Sequence, residues 1–200
     1  MNPAFFQLVD ELNAAEPADR HAVERTIWRE FGVEMAILAL DMSHFSLTVR
    51  RSGILGYLGL IRRMQVLCEP IVQEAKGSVV KYCADNMMAV FPDVPDAVAA
   101  AVAINLLLAE KTAEGAPEIT VGVGIDYGRF LMIPGEDCFG DPVNISYKLG
   151  EDLARPGEVL ITSAARERLP AGLPYALQEQ TVSVCGLELA SFSIQYDGKK

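Results

Sequence analysis

Asp41 and Asp85 are the residues of this chain best placed to do chemistry. Asp41 ends an apolar run, Met35-Ala-Ile-Leu-Ala-Leu-Asp41. Asp85 falls in the turn of a hairpin-like stretch, Ser78-Val-Val-Lys-Tyr-Cys-Ala-Asp85-Asn-Met-Met-Ala-Val-Phe91. A carboxylate at the mouth of a buried strand is costly unless something pairs with it. Two that converge call for a hard cation such as Mg²⁺, and so for phosphate chemistry.

Other polar residues could complete such a site. Lys81 stands four residues before Asp85, although Asp-Asn is also ordinary turn chemistry and a strand lysine is often merely solvated. Asn144 and Lys148 are spaced i, i+4 and share one helix face, with Asp137 just ahead of that helix. Lys148 could instead pair with Glu151 or Asp152. Arg129, after Tyr127-Gly128, reads either as an exposed loop cation or as a phosphate clamp. Gly122-Val-Gly124-Ile-Asp-Tyr-Gly128 is no dinucleotide fingerprint, because it lies within a strand and no helix opens behind it. The chain has no P-loop, and two histidines, His21 and His44, are too few and too separated for a zinc site.

The elements that must position these residues follow from periodicity and punctuation. Two amphipathic helices within 3–31 expose apolar faces, Phe5/Phe6/Val9/Leu12 and Val23/Ile27/Trp28/Phe31. They read as a helical lid on the core, or as a dimerisation or input segment. A strand over 35–40 precedes a helix over about 53–75, with Pro70 as a kink and Gly77 as the stop. The hairpin 78–91 and a helix 96–110, capped from Asp93 to Asp96, come next. In the following strand Ile119, Val121, Val123 and Ile125 face one way. Thr120, Gly122 and Gly124 face the other, where the glycines admit a close neighbour. Asp141 and Pro142 open a helix 142–153. Strand 158–162, a short helix 163–168 and strands 180–185 and 189–195 finish the chain. The order β-α-β-β-α-β predicts an α+β, ferredoxin-like core with helices on one face. The boundaries expected are an N-terminal helical segment, 1–32, and a main domain, 33–200.

With 200 residues, half of them hydrophobic, the chain can build one ordinary core. A net charge of −10 argues against nucleic-acid binding and against docking on an anionic membrane. Four scattered cysteines with no CxxC pair read as the reduced thiols of a cytoplasmic protein. The first residues lack a basic stretch followed by an apolar one, so no signal peptide is expected. The apolar run 97–109 is too short to span a bilayer.

Taken in order, these pieces resemble the catalytic domain of the class III nucleotidyl cyclases, the adenylate/guanylate cyclase family, over about residues 34–196. Ala39-Leu-Asp41-Met-Ser-His-Phe45-Ser46 is similar to the first metal motif, Asp-x-x-Gly-Phe-Thr/Ser. Val80-Lys81-Tyr-Cys-Ala-Asp85 resembles the Lys-x-x-Gly-Asp hairpin. Phe139-Gly-Asp-Pro-Val-Asn144-Ile-Ser-Tyr-Lys148 resembles the Gly-x-x-Val-Asn-x-Ala-x-Arg helix, and Pro156-Gly-Glu-Val-Leu-Ile the strand after it.

The resemblance implies a head-to-tail homodimer with active sites at the interface. Asp41 and Asp85 of one chain would hold two Mg²⁺ or Mn²⁺ ions. The backbone from Met42 to Ser46, including Phe45 and Ser46, would contact the triphosphate with Arg129. The partner would supply Lys81 and Asp137 to select the base, Asn144 to orient the ribose and Lys148 to stabilise charge on the α-phosphate. Lysine donates and an ionised aspartate accepts, which suits adenine N1 and N6. Cytosine presents the same pattern, and guanine fits in a shifted register. The implied activity is conversion of ATP to cyclic AMP and pyrophosphate, with another NTP as an alternative substrate. Three departures favour a weak enzyme or a non-catalytic cyclase-homology module: Lys148 stands where arginine is usual, Cys185 where a triphosphate-binding lysine is usual, and His44 and Ala84 replace glycines.

Overall fold

The computed structural model describes residues 2–43, 45–184 and 187–197, with side chains described for all of these except 45–49, 51, 52, 184 and 187. The elements are α1 (Pro3–Ala14), α2 (Arg20–Phe31), β1 (Gly32–Met42), α3 (Phe45–Glu74), β2 (Ser78–Cys83), β3 (Asn86–Phe91), α4 (Val94–Ala113), β4 (Val121–Ile133), β5 (Asp137–Phe139), α5 (Asp141–Tyr147), β6 (Val159–Thr162), α6 (Ser163–Glu167), β7 (Ala176–Val184) and β8 (Leu187–Gln195). A π-helical turn, Lys148–Leu153, continues α5.

The strands form one sheet in the order β2-β3-β1-β4-β6-β8-β7, with β5 paired to β4. Its first four strands have the ferredoxin-like arrangement. The β4–β6 pairing is parallel and the other recorded pairings are antiparallel. Central β1 is buried on both faces from Ala36 to Leu40. Leu38 and Leu40 enter the main core with α3 and α4, while Ile37 enters a second cluster with Phe130 and Val143. Burying such a side chain stabilises the fold by roughly 1.5–3 kcal/mol.

Helices therefore cover both faces of the sheet, which corrects the one-face expectation. The reason lies in β4. Val121, Val123 and Ile125 turn to the main core, and the glycines between them receive α5 and its π turn. A Cβ added at Gly124 would lie 2.1 Å from the Ser146 carbonyl oxygen, and one at Gly122 would lie 2.8 Å from that of Gly150.

Each expected element overlaps one of these, with informative shifts; the strand expected from Ile119, for example, begins at Val121. The long helix contains a break at Gly53 (φ 70°, ψ 170°), so its main body begins where the sequence predicts. Pro70 lies inside the helix without ending it. β4 runs on through Tyr127-Gly128-Arg129, where a loop is expected. Gly128 continues the strand, paired with Met35 of β1, and Pro142 packs close over it. β7 and β8 form a terminal hairpin against β6. α1 and α2 pack on the far end of β4, where Phe5, Ile27 and Ile133 are buried together and Phe5 stacks on Phe139 at 5.6 Å. No described helix is long and apolar enough to cross a membrane.

Candidate active site

Strand register brings the two aspartates together. Asp41 pairs with Asn86, the first residue of β3, and Asp85 occupies the turn immediately before it. That turn requires Ala84 to take φ +51°, a left-handed conformation that glycine adopts more easily. The Tyr57 hydroxyl, from α3, donates to Asp85 Oδ2 at 2.6 Å, and Tyr57 is 1% exposed. One carboxylate oxygen of Asp85 is therefore held by a rigid, buried donor.

The electrostatics are those of a site short of positive charge. Asp41 is half-buried, and its carboxyl is pushed up to about 7 by burial, then by the charges of Asp85, Glu151 and Asp152. The latter two arrive on the π turn, which sits directly on β1: a Cβ on Gly150 would lie 2.6 Å from the Ala39 carbonyl oxygen. Asn86 Nδ2 donates to Glu151, whose carboxyl is also raised, chiefly by burial and then by Asp152.

Among the described residues, no group of three or more His, Cys, Asp or Glu side chains is arranged to hold a metal by itself. Two carboxylates with excess negative charge do suit Mg²⁺ or Mn²⁺, whose remaining ligands are commonly water and phosphate oxygens.

A second cluster forms where β2 meets β5. Lys81 Nζ donates to Asp137 Oδ1 at 2.7 Å, and the Cys138 backbone N–H donates to the same oxygen at 2.8 Å. Both side chains of the pair are about one-third exposed, at 31% and 33%. Asp137 Oδ2 has no protein donor among the described residues, and both side chains remain partly accessible. Asn144 and Lys148 are both exposed, one turn apart on the α5–π rod. Lys148 Nζ lies 2.5 Å from Asp152 Oδ2.

Arg129 does not join either cluster. It pairs with Glu34 in the β1–β4 register, whereas Asp41 pairs with Gly122. Seven residues of strand separate the two positions, about 23 Å at ~3.3 Å per residue. Its guanidinium lies over the Trp28 ring, 4.9 Å from the centroid. The register therefore sets Arg129 far from Asp41 of the same chain, on a strand that continues where a loop was expected. The side chains of Phe45 and Ser46, together with His44 and Cys185, lie outside the described residues.

Tyr57 and Glu151 are site residues that spacing alone did not reveal. Tyr57 reads as one more core-facing helix residue, and only its distance to Asp85 distinguishes it. Glu151 offered a signal, since it lies one turn past Lys148 on a helix that must cross the glycine face of β4.

No family model matches the chain, and no curated protein matches it. Solved structures do. An adenylate/guanylate cyclase/hydrolase from Silicibacter pomeroyi is 24% identical, with a TM-score of 0.69 over 84% of this chain and 99% of its own. The catalytic core of a rhodopsin-guanylyl cyclase with converted specificity, in complex with ATPαS, is 16% identical, with a TM-score of 0.72 over 82% and 97%. An adenylate cyclase from Trypanosoma brucei, described in its monomeric state, is 17% identical, with a TM-score of 0.69 over 80% and 87%. The chain has the fold of the class III adenylate/guanylate cyclase catalytic domains.

Proposed function

We propose that this protein is a nucleotidyl cyclase that converts ATP to 3′,5′-cyclic AMP and pyrophosphate at the interface between two copies of the chain. The observation that carries the reading is the convergence of Asp41 and Asp85 in a cluster of excess negative charge, where Asp41 is driven towards protonation. Asp41 and Asp85 would hold two Mg²⁺ or Mn²⁺ ions, which supply activation of the ribose 3′-hydroxyl and neutralise phosphate charge. Tyr57 keeps the Asp85 carboxylate in one orientation. β1 ends at Met42 and α3 begins at Phe45, and backbone groups from Met42 to Ser46 would contact the triphosphate.

The other half of the site comes from the second copy. Its Lys81 donates to adenine N1 and its Asp137 accepts from N6, each holding the other in place. Asn144 orients the ribose. Lys148 places a positive charge beside the α-phosphate once it leaves Asp152, which costs little because an exposed pair contributes about 0–1 kcal/mol. Ile54, Leu55 and Leu58 on α3 are 50–80% exposed, an apolar stripe suited to burial against another chain. The similar rhodopsin-guanylyl cyclase core, described with ATPαS, supports a nucleoside triphosphate as ligand of this fold.

The Lys148–Asp152 contact also favours a second reading, a cyclase-homology module that binds nucleotide without turnover. One experiment separates the two. The purified protein is incubated with Mn²⁺ or Mg²⁺ and each of ATP, GTP, CTP and UTP, and cyclic products are resolved chromatographically. Cyclic AMP as the main product, abolished by Asp85→Asn, supports the enzyme. ATP binding with no product from any nucleotide supports the module.

A further inference from the structure

Arg129, displaced from the candidate active site, belongs to another arrangement. It lines a groove of about 690 Å³ with His21, Glu24, Arg25, Trp28 and Arg29. His21, Arg25 and Arg29 recur every four residues along α2, so they share one helix face. Arg129 reaches the same groove from β4 and lies over Trp28. Gly32 lets the chain turn from α2 into β1 beneath Trp28, since a Cβ there would lie 2.3 Å from the Trp28 carbonyl oxygen and 2.8 Å from its ring.

Three guanidinium groups, of Arg25, Arg29 and Arg129, thus line the groove with one carboxylate, Glu24, which neighbours on its own helix engage. Glu24 lies 3.0 Å from His21 Nδ1 and 3.8 Å from Arg20 Nε. Arg29 meets Glu30 at 3.1 Å. Among the described residues, no carboxylate forms an ion pair with Arg25 or Arg129, although Glu34 stands opposite Arg129 in the β1–β4 register. Concentrated positive charge is unexpected in a chain of net charge −10. Like charges held together repel, and a bound anion relieves that repulsion.

We infer that the groove between α2 and β4 is a binding site for a small soluble anion carrying phosphate. Guanidinium forks match phosphate oxygens in geometry as well as charge. The volume lies within the range of small-molecule sites, about 300–1,000 Å³. The rest of the chain decides the size of the occupant. An acidic protein or an anionic bilayer presents a broad negative surface, which the surrounding acidic chain repels. A small anion meets only the groove. This inference does not depend on the cyclase reading.

Trp28 is the only tryptophan of the chain, so its emission reports occupancy directly. The full chain is titrated with sodium pyrophosphate in EDTA, which removes divalent cations from the Asp41–Asp85 site, and calorimetry measures the same affinity. A saturable change is expected, weakened by added NaCl and at least about tenfold by Arg25→Ala or Arg129→Ala, since hydrogen bonds between charged groups are the strong ones. Arg25 is exposed, so its replacement leaves the packing of α2 intact. No saturable binding to the unaltered chain overturns the inference. So does unchanged affinity in both variants, or a response confined to phosphatidylserine vesicles or a poly-glutamate peptide.

Discussion

Tyr57→Phe removes one oxygen atom from a residue that is 1% exposed and keeps the ring that fills its place in the core. What is lost is the 2.6 Å hydrogen bond to Asp85 Oδ2. A hydrogen bond to a charged group contributes about 1.5–3 kcal/mol. If Tyr57 fixes the carboxylate for a cation, most of that energy should appear in metal binding, and partners of ligating groups typically affect affinity 10–100-fold. Mn²⁺ titrated into each protein, followed by calorimetry, should therefore bind the variant about 10–100-fold more weakly. Urea unfolding without metal should show a smaller loss, about 1 kcal/mol. In an Asp85→Asn background the Tyr57→Phe change should add almost nothing to the loss of Mn²⁺ binding, because the two residues act through one contact. Equal Mn²⁺ affinity in Tyr57→Phe and the unaltered chain would refute the positioning role. An undiminished effect in the Asp85→Asn background would show that Tyr57 acts through something other than Asp85.

Three further outcomes are expected. Lys148→Arg should raise cyclase turnover, by up to about 100-fold if the residue faces transition-state charge; an unchanged rate in a steady-state assay would remove Lys148 from the chemistry. Ala84→Gly should stabilise the fold by about 1 kcal/mol in urea unfolding, because the turn holds residue 84 at φ +51°; a loss of stability would contradict the strain argument. Asp126, whose carboxyl is raised mainly by burial against the opposing bonds from Thr162 and Tyr127, should make stability fall as pH rises. Its folded form ionises later than the unfolded form, so the penalty begins above the unfolded value, about 3.9, and grows through the raised folded value. Relative to the unaltered chain, Asp126→Asn should gain stability over that interval, and parallel urea-midpoint curves against pH would count against this account.

Much of the site could be read from residue types in order. Asp41 is conspicuous as a charge closing an apolar strand, and Asp85 as a charge in a tight turn. The Lys81–Asp137 contact follows from two opposite charges once β5 returns beside β2. The glycine face of β4 predicted a close neighbour, and α5 is there. Arg129 was misplaced for an equally local reason. Tyr-Gly-Arg resembles the end of a strand, but pairing with β1 as far as Leu131 and with β5 over Leu131 to Ile133 carries the strand four residues past Arg129.

The sequence by itself determined the alternation that buries each strand, the caps and turns that separate the elements, and the charges available for chemistry. These depend on neighbours within a few residues, where period and residue type act directly. Only the tertiary structure decided that helices cover both faces of the sheet, that Tyr57 reaches Asp85 across 28 residues, and that Arg129 faces Trp28 instead of the aspartates. Such pairings are set by strand register and by which glycine admits a helix, and both are properties of the packed sheet as a whole.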